Sequence, residues 1–384
     1  MDREEAMKRK YWLSSAIIAV VVLGMDTAFS EEETPLEGSE GAQVTVYKTV
    51  GDVELRLFIF AAEGEAEGPR PAIVFFHGGG WNKGTPRQFF EHCKYFASRG
   101  MAAVSAEYRL RTRHGVTPFE CVTDGKSAIR WVRGHAAELG IDPDRIAAGG
   151  GSAGGHIAAC AGVIEGLEEE SEDLAVSSRP NALVLFNPAV NLVPLAKRIG
   201  KFGDRIKQIS PVYHVREGLP PTIIFHGTKD PVVPFKSVEV FTRLMKEKGN
   251  ECELVSFEGQ AHGFFNYGRD NNIPFNETIA AADRFLTGLG FLSEPKGRTS
   301  TMQSNAKELL IYVGTYTRGE SEGIYVYRLD LASGALRHQS TVKGVANPSF
   351  LTLDHRRKFL YAVNESAEVS GKRTGAVSAF AVDA

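Results

Sequence analysis

The 384-residue sequence predicts an α/β protein with a mostly parallel central sheet, helices on both faces, and a small all-β segment after it. Three observations lead there. Strand-like and helix-like segments alternate from Ala72 to Leu292, which is the order of a parallel sheet wound with helices. The strands are continuous apolar runs such as Ala72-Ile-Val-Phe-Phe76, as needed when both faces of a sheet are covered. After Asn305 the helices stop and short strands with turns take over. Composition agrees: 43% hydrophobic and 24% charged residues exclude bulk disorder and a multi-span membrane protein. With 44 Lys+Arg against 47 Asp+Glu and no basic stripe, nucleic-acid binding has no electrostatic support. The four cysteines, Cys93, Cys121, Cys160 and Cys252, form no CxxC or Cys/His metal pattern, and three pairings or free thiols all stay open.

The elements follow in order. Residues 1–30 read as an export signal: basic Met7-Lys-Arg-Lys10, an apolar stretch from Tyr11 to Gly24, and small residues in Ala28-Phe29-Ser30 before an acidic run. The apolar stretch is short beside the roughly 20 residues of a membrane-spanning helix, so no stable span is expected after cleavage. Val44–Val50 and Val53–Ala61 flank Gly51-Asp52 as a hairpin, and Glu63–Pro69 is a loop. Strands follow at Ala72–Phe76, Ala102–Tyr108, Arg145–Gly149, Ala182–Phe186, Thr222–Phe225 and Cys252–Phe257. Helices are expected over Arg87–Gly100, Pro118–Gly140, Ser152–Gly166, Lys236–Lys248 and Asn276–Leu292, with Gly100 and Gly249 as C-terminal stop signals.

Active sites of such sheets lie beyond the carboxyl ends of the strands, and three of those ends carry chemistry. Gly150-Gly-Ser-Ala-Gly154 fits G-x-S-x-G between a strand and a helix. A serine on a sharp strained turn needs small neighbours, and the helix N-terminus behind it favours developing negative charge. His77-Gly-Gly-Gly-Trp81 follows the strand ending at Phe76. Its consecutive N–H groups can converge, together with the Ala153 N–H, on one oxyanion. Asp230 follows Thr222–Phe225, and His262 follows Cys252–Phe257. A serine hydroxyl needs a base, and the base needs an acceptor to fix its tautomer. Alone, Asp230 reads as a turn residue and His262 as one solvated loop histidine among ten; the order Ser152, Asp230, His262 at successive strand ends reverses that. His77, His156 and His226 read as structural. Trp81 is expected to line the cleft, with plain packing beside the loop an equally open reading.

These residues together resemble the α/β-hydrolase fold, and within it the esterases with an HGGG oxyanion loop, near acetyl-xylan and feruloyl esterases, over Val44–Leu292. The resemblance implies a carboxylester hydrolase that needs no metal or organic cofactor. It assigns Ser152 as nucleophile, His262 as general base, Asp230 as its orienting acid, and Gly78, Gly79 and Ala153 as oxyanion donors. The segment Asn187–Pro211 is short and polar in its second half, unlike a lipase lid, so a short or aryl acyl group on a bulky alcohol such as a plant polysaccharide is the expected substrate. Residues 293–306 read as a linker. Over 307–384, Tyr312-Val-Gly-Thr-Tyr-Thr-Arg318, Gly323-Ile-Tyr-Val-Tyr327, Asn347-Pro-Ser-Phe-Leu351 and Phe359-Leu-Tyr-Ala-Val363 look like part of a seven-bladed lactonase propeller, roughly two blades long. Two other classes stay open on the sequence alone. One is a serine peptidase of the prolyl-oligopeptidase type, which uses the same triad. The other is a binding protein whose hydrolase unit is inert. Oligomeric state is not legible.

Overall fold

The computed structural model describes residues 36–64, 68–199, 203–294 and 308–382, the last stretch without 318, 332, 354–357, 366–367, 370–371 and 374. The expected export signal, and nearly all of the expected linker, lie outside these residues. The chain divides into two compact units, Met1–Ser293 and Glu294–Ala384.

The first unit is built on β1 (Gln43–Val50), β2 (Val53–Phe60), β3 (Arg70–Phe76), β4 (Ala102–Ala106), β5 (Ile141–Gly151), β6 (Ala182–Phe186), β7 (Thr222–Gly227) and β8 (Cys252–Phe257). They form one eight-stranded sheet in the order β1-β2-β4-β3-β5-β6-β7-β8. The β1–β2 hairpin and the β2–β4 pair are antiparallel, and every pair from β4 to β8 is parallel. Alternation of side chains divides each apolar run between two cores. In β3, Ala72, Val74 and Phe76 enter one core while Ile73 and Phe75 enter the other. In β6, Leu183 and Leu185 separate from Val184 and Phe186 in the same way.

The helices are α1 (Phe90–Ser98), a single turn α2 (Arg111–His114), α3 (Pro118–Gly134), α4 (Ala153–Val163), a single turn α5 (Ala196–Ile199), α6 (Phe235–Glu247) and α7 (Ile273–Gly288). Buried side chains of α3, α4 and α6 belong to the first core, and those of α1 and α7 to the second. Fully burying a Phe or Leu contributes about 1.5–3 kcal/mol, so these two layers hold the sheet rigid beneath its loops. Helix α3 starts where Thr117 caps it: the Thr117 side chain accepts from the Phe119 N–H at 3.3 Å, and Glu120 reaches back to the Thr117 N–H at 2.8 Å.

Several boundaries differ from the sequence reading. Helix α3 ends at Gly134, and Ala136–Gly140 turns instead into β5, which begins at Ile141. The segment before α1 is a 3-10 turn, Pro86–Phe89. Helix α7 begins earlier, at Ile273, because Pro274 suits a first helical turn.

The second unit holds β9 (Glu308–Gly314), β10 (Gly323–Asp330), β11 (Leu336–Lys343), β12 (Pro348–Leu353), β13 (Phe359–Asn364), β14 (Glu368–Val369), β15 (Lys372–Arg373) and β16 (Ala376–Ala381). Two three-stranded antiparallel sheets, β11-β10-β9 and β12-β13-β16, enclose a core whose buried members are Ile324, Leu360 and Ala362. Strand β11, Leu-Arg-His-Gln-Ser-Thr-Val-Lys, escapes the sequence reading because it is polar and mostly exposed.

Candidate active site

Ser152 stands between β5 and α4 at φ 54° and ψ −113°, outside the ordinary regions for a residue with a side chain. The neighbouring glycines make this turn possible. A Cβ on Gly154 would lie 1.9 Å from the Phe76 carbonyl oxygen, and one on Gly150 would lie 2.6 Å from Gly154 and from Phe76. The turn is tied down by the Ser152 N–H, which donates to the Phe186 carbonyl at 2.9 Å.

The loops after β7 and β8 converge on this serine. His262 Nε2 lies 2.9 Å from Ser152 Oγ, and His262 Nδ1 lies 2.7 Å from Asp230 Oδ2. The Asp230 side chain is fully buried, whereas that of His262 keeps 20% exposure. Asp230 Oδ1 accepts the N–H groups of Val232 and Val233 at 2.8 and 2.9 Å. His226 Nε2 stands 3.3 Å from Asp230 Oδ2 and 3.0 Å from the Val233 carbonyl. Two oxygens facing Nε2 require it to carry the proton. Burial pushes the Asp230 carboxyl up, but hydrogen bonds from His226, His262 and the Val233 N–H outweigh burial and hold it well below the usual range. With its oxygens saturated by donors, Asp230 stays ionised and fixes His262 with the proton on Nδ1 and Nε2 open to the serine.

His77 and His156, read as structural in the sequence, are buried. Burial lowers His77 to about 4, although its ring bonds the Gly78 carbonyl at 2.7 Å. Burial likewise lowers His156 to about 4, where Nε2 bonds the Ile209 carbonyl at 2.6 Å.

The glycine loop after β3 departs from expectation at two residues. The Gly78 N–H, assigned to the oxyanion, is instead bonded to Gln88 Oε1 at 2.6 Å. Among the described residues the N–H groups of Gly79, Gly80 and Ala153 have no hydrogen-bond partner. The Gly80 N–H, which the sequence reading did not assign, is thus unbonded where that of Gly78 is bonded. Trp81 is only 4% exposed, and its indole N–H donates to His156 Nδ1 at 3.2 Å. Its ring packs behind the loop instead of lining the cleft.

Two further residues hold the site: Asn187, which the sequence reading did not single out, and His226, which it read as structural. Asn187, buried after β6, accepts the Gly263 N–H on Oδ1 at 2.9 Å and so anchors the His262 loop. His226 supports Asp230 from the same strand end. Their only sequence signal was position: each closes a strand at the carboxyl rim.

A cavity of about 780 Å³ opens beside the oxyanion loop, bordered by Gly78, Gly79, Gln88 and Asn266 and by charged Lys83, Arg87 and Glu91. The described residues after β6 form short helical pieces, Val193–Leu195, Ala196–Ile199, Gly203–Ile209 and Pro211–Tyr213, with Leu195, Ile206 and Ile209 buried in the core. The four cysteines are free and buried. Among the described residues no group of His, Cys, Asp and Glu is placed to hold a metal, and no helix is long and apolar enough to cross a membrane.

Comparison with known proteins gives this geometry a context. Residues 59–245 match the BD-FAE family, and residues 310–384 match the seven-bladed β-propeller lactonase family. Esterase 2 of Thermogutta terrifontis, phosphorylated by paraoxon, superposes with a TM-score of 0.64 at 51% identity, covering 67% of this chain and 97% of that one. A propionate-bound form of the same enzyme gives a TM-score of 0.63 at 49% identity, with the same coverage. A probable isoprenylcysteine alpha-carbonyl methylesterase of Arabidopsis thaliana is 30% identical over 219 residues, 51% of this chain and 46% of that protein. The chain spans about half the length of the curated relatives it matches. Sheet order, the serine turn and a match over nearly the whole of a solved esterase agree: this chain belongs to the α/β-hydrolase esterases of the BD-FAE type and carries a segment of the lactonase propeller type beyond them.

Proposed function

We propose that this protein is a carboxylesterase that cleaves short-chain or aryl acyl esters through an acyl-serine intermediate. The observation that carries the reading is His262 standing between Ser152 and Asp230 at 2.9 and 2.7 Å. In this mechanism Ser152 Oγ attacks the ester carbonyl carbon while His262 Nε2 takes its proton. The carbonyl π pair moves onto oxygen, which is received by the N–H groups of Gly79, Gly80 and Ala153. Each such donor typically lowers the barrier by about 2.7–4 kcal/mol. The tetrahedral species collapses, His262 protonates the departing alcohol, and an acyl-serine is left. Water then attacks the acyl carbon with His262 again as base, releasing the acid and restoring Ser152. Asp230, ionised, stabilises the imidazolium formed in each half.

One solved structure of the relative is propionate-bound, which supports a short acyl group. Among the described residues after β6, Leu195, Ile206 and Ile209 turn into the core and no large apolar cover is formed, in keeping with an open site. Lys83, Arg87 and Glu91 on the border of the neighbouring cavity suit an alcohol rich in hydroxyls, which is in keeping with acetylated or feruloylated polysaccharide as substrate. The basic and apolar pattern of residues 1–30 supports export from the cytoplasm.

The test is a series of p-nitrophenyl esters from acetyl to palmitoyl, run beside a peptide p-nitroanilide and acetylated and feruloylated xylans. Turnover is expected to peak at acetyl to butyryl and fall beyond about eight carbons, because each further methylene gains about 0.8 kcal/mol only against an apolar wall. A maximum at palmitoyl, or preferential cleavage of the anilide, overturns the reading.

A further inference from the structure

We infer that Gln88 and Asn266 are positioning residues that bridge the oxyanion loop to the His262 loop, a role that rests on the Ser152–His262–Asp230 reading. The need for a bridge comes from the topology. The oxyanion loop leaves β3 and the His262 loop leaves β8, with β5, β6 and β7 between them in the sheet. At about 4.8 Å per strand, the two strand ends stand roughly 19 Å apart, and no ladder hydrogen bond couples them. Yet the reaction needs His262 and the oxyanion donors in register on one carbonyl group.

Three hydrogen bonds supply the connection. The Gly78 N–H donates to Gln88 Oε1 at 2.6 Å. Gln88 Nε2 donates to Asn266 Oδ1 at 2.8 Å. Asn266 Nδ2 donates to the carbonyl of Gly263, the residue after His262, at 2.8 Å. Each amide accepts at one end and donates at the other, so the chain runs in one direction without a break. Both amides stand beside rigid anchors. Phe89, next to Gln88, stacks on Phe75 with ring centroids 4.8 Å apart, and Phe265, next to Asn266, is buried 5.9 Å from Phe89. The far end fits closely: Gly263 has φ 77°, and a Cβ there would come within 2.9 Å of Asn266 Nδ2.

The bridge also explains why Gly78 is not an oxyanion donor. Its N–H is the fixed end of the chain, and fixing it orients the next two N–H groups, those of Gly79 and Gly80. Gln88 and Asn266 border the 780 Å³ cavity beside the glycine loop, and their amides set the spacing of the two loops. Loss of the bridge therefore loosens the alignment of base and oxyanion donors, and a displacement of about 1 Å can cost a hundredfold in rate.

The experiment uses the full-length protein and p-nitrophenyl acetate. Gln88→Leu and Asn266→Leu are each expected to lower kcat about tenfold or more while KM stays within about threefold. The double variant is expected to match the worse single, since a chain cut once is already open. Wild-type kcat in both folded singles, or a double variant whose loss is the product of the two, overturns the bridge. Should Gln88→Leu fail to fold, Gln88→Glu serves. It keeps an acceptor for Gly78 but offers no donor, so whichever way Asn266 turns, one joint is lost, and kcat is expected to fall at an unchanged melting temperature. Wild-type kcat in Gln88→Glu overturns the proposal. Ser152→Ala is run in parallel. Activity in that variant removes the triad and the bridge with it. An inactive Ser152→Ala beside fully active bridge variants removes the bridge alone.

Discussion

The carboxyl rim of the sheet and the phenylalanine-rich layer beside it are made from the same strands, and each holds a histidine. At the rim, His262 has a partner on both ring nitrogens, Asp230 on one and Ser152 on the other. In the layer, His92 is completely buried and neither nitrogen has a partner. It is packed against Phe89, Phe275 and Phe186 with ring centroids 4.7, 4.8 and 5.3 Å away. Burial alone lowers it to about 3, so it is neutral filler with two uncompensated polar atoms. The side chain is the same in both places. In the proposed mechanism, what turns an imidazole into a base is a buried carboxylate on one side and a hydroxyl on the other, held by strand ends that the core keeps still.

The largest expected effect cuts the rim arrangement at its carboxylate. In Asp230→Asn the side-chain oxygen is held by the N–H groups of Val232 and Val233, so the amide nitrogen faces His262 Nδ1 and His226 Nε2. Donor then meets donor, and His262 is driven to the tautomer that cannot accept from Ser152. A fall in kcat on the order of 10⁴ at neutral pH is expected, as for the equivalent change in other triads. The folded carboxyl is held below the 3.8 of an unperturbed aspartate. Its contribution to stability is therefore present above that pH and lost only as pH falls through the lower folded value. The variant should accordingly melt lower at pH 5 as well as at pH 8. Retention of more than a tenth of the activity would show that Asp230 does not orient the base.

A smaller effect, of opposite sign, is expected from the layer. His92→Leu removes two unpartnered nitrogens from among aromatic rings while keeping an apolar side chain there. At neutral pH a gain of about 1 kcal/mol is expected. The gain should widen in acid. His92 binds its proton in the unfolded chain below about 6.5 but in the folded one only near 3. Between those values each unit drop in pH costs the native protein up to about 1.4 kcal/mol through this group. His77 and His156, lowered to about 4, act in the same direction, so the variant flattens the acid limb without abolishing it. Denaturant titrations at pH 7 and pH 5 decide the matter. An equal or lower stability at both would mean that the imidazole makes a favourable contact with the rings.

The rim was far more legible in the sequence than its supports. G-x-S-x-G, the glycine run and the order serine–aspartate–histidine each betray a strand end, because the chemistry demands small residues or particular groups just there. Gln88, Asn187 and Asn266 carry no such mark. Gln88 and Asn266 are 178 residues apart in sequence, and only folding reveals that they touch. The bonding of the Gly78 N–H to Gln88 has the same origin. Which of several consecutive N–H groups points inward depends on a side chain ten residues further along. Trp81 could not be placed because an indole suits a cleft wall and a buried layer equally well until its N–H partner, His156, is known. Helix ends slipped where the pattern ran on without a clear stop, as after Gly134.

The smallest expected effect is from removing the second unit. Ser152, Asp230, His262, the glycine loop and the Gln88–Asn266 bridge all fall within Met1–Ser293. The two cores that hold β3 to β8 are likewise drawn from residues no later than Leu292. The second unit has a small core of its own and leaves Phe350 and Val377 more than half exposed, along with Leu336. Exposed apolar strands favour association between chains. A chain stopped after Ser293 is therefore expected to hydrolyse p-nitrophenyl acetate within about twofold of the full chain, because no group of the site is lost. Its main unfolding transition should stay in place and its solubility should rise. Turnover and melting temperature of the two forms, measured side by side, decide it. A severalfold loss of turnover would mean that the propeller-type segment shapes the cleft, and a large drop in melting temperature would mean that the first unit depends on it to fold.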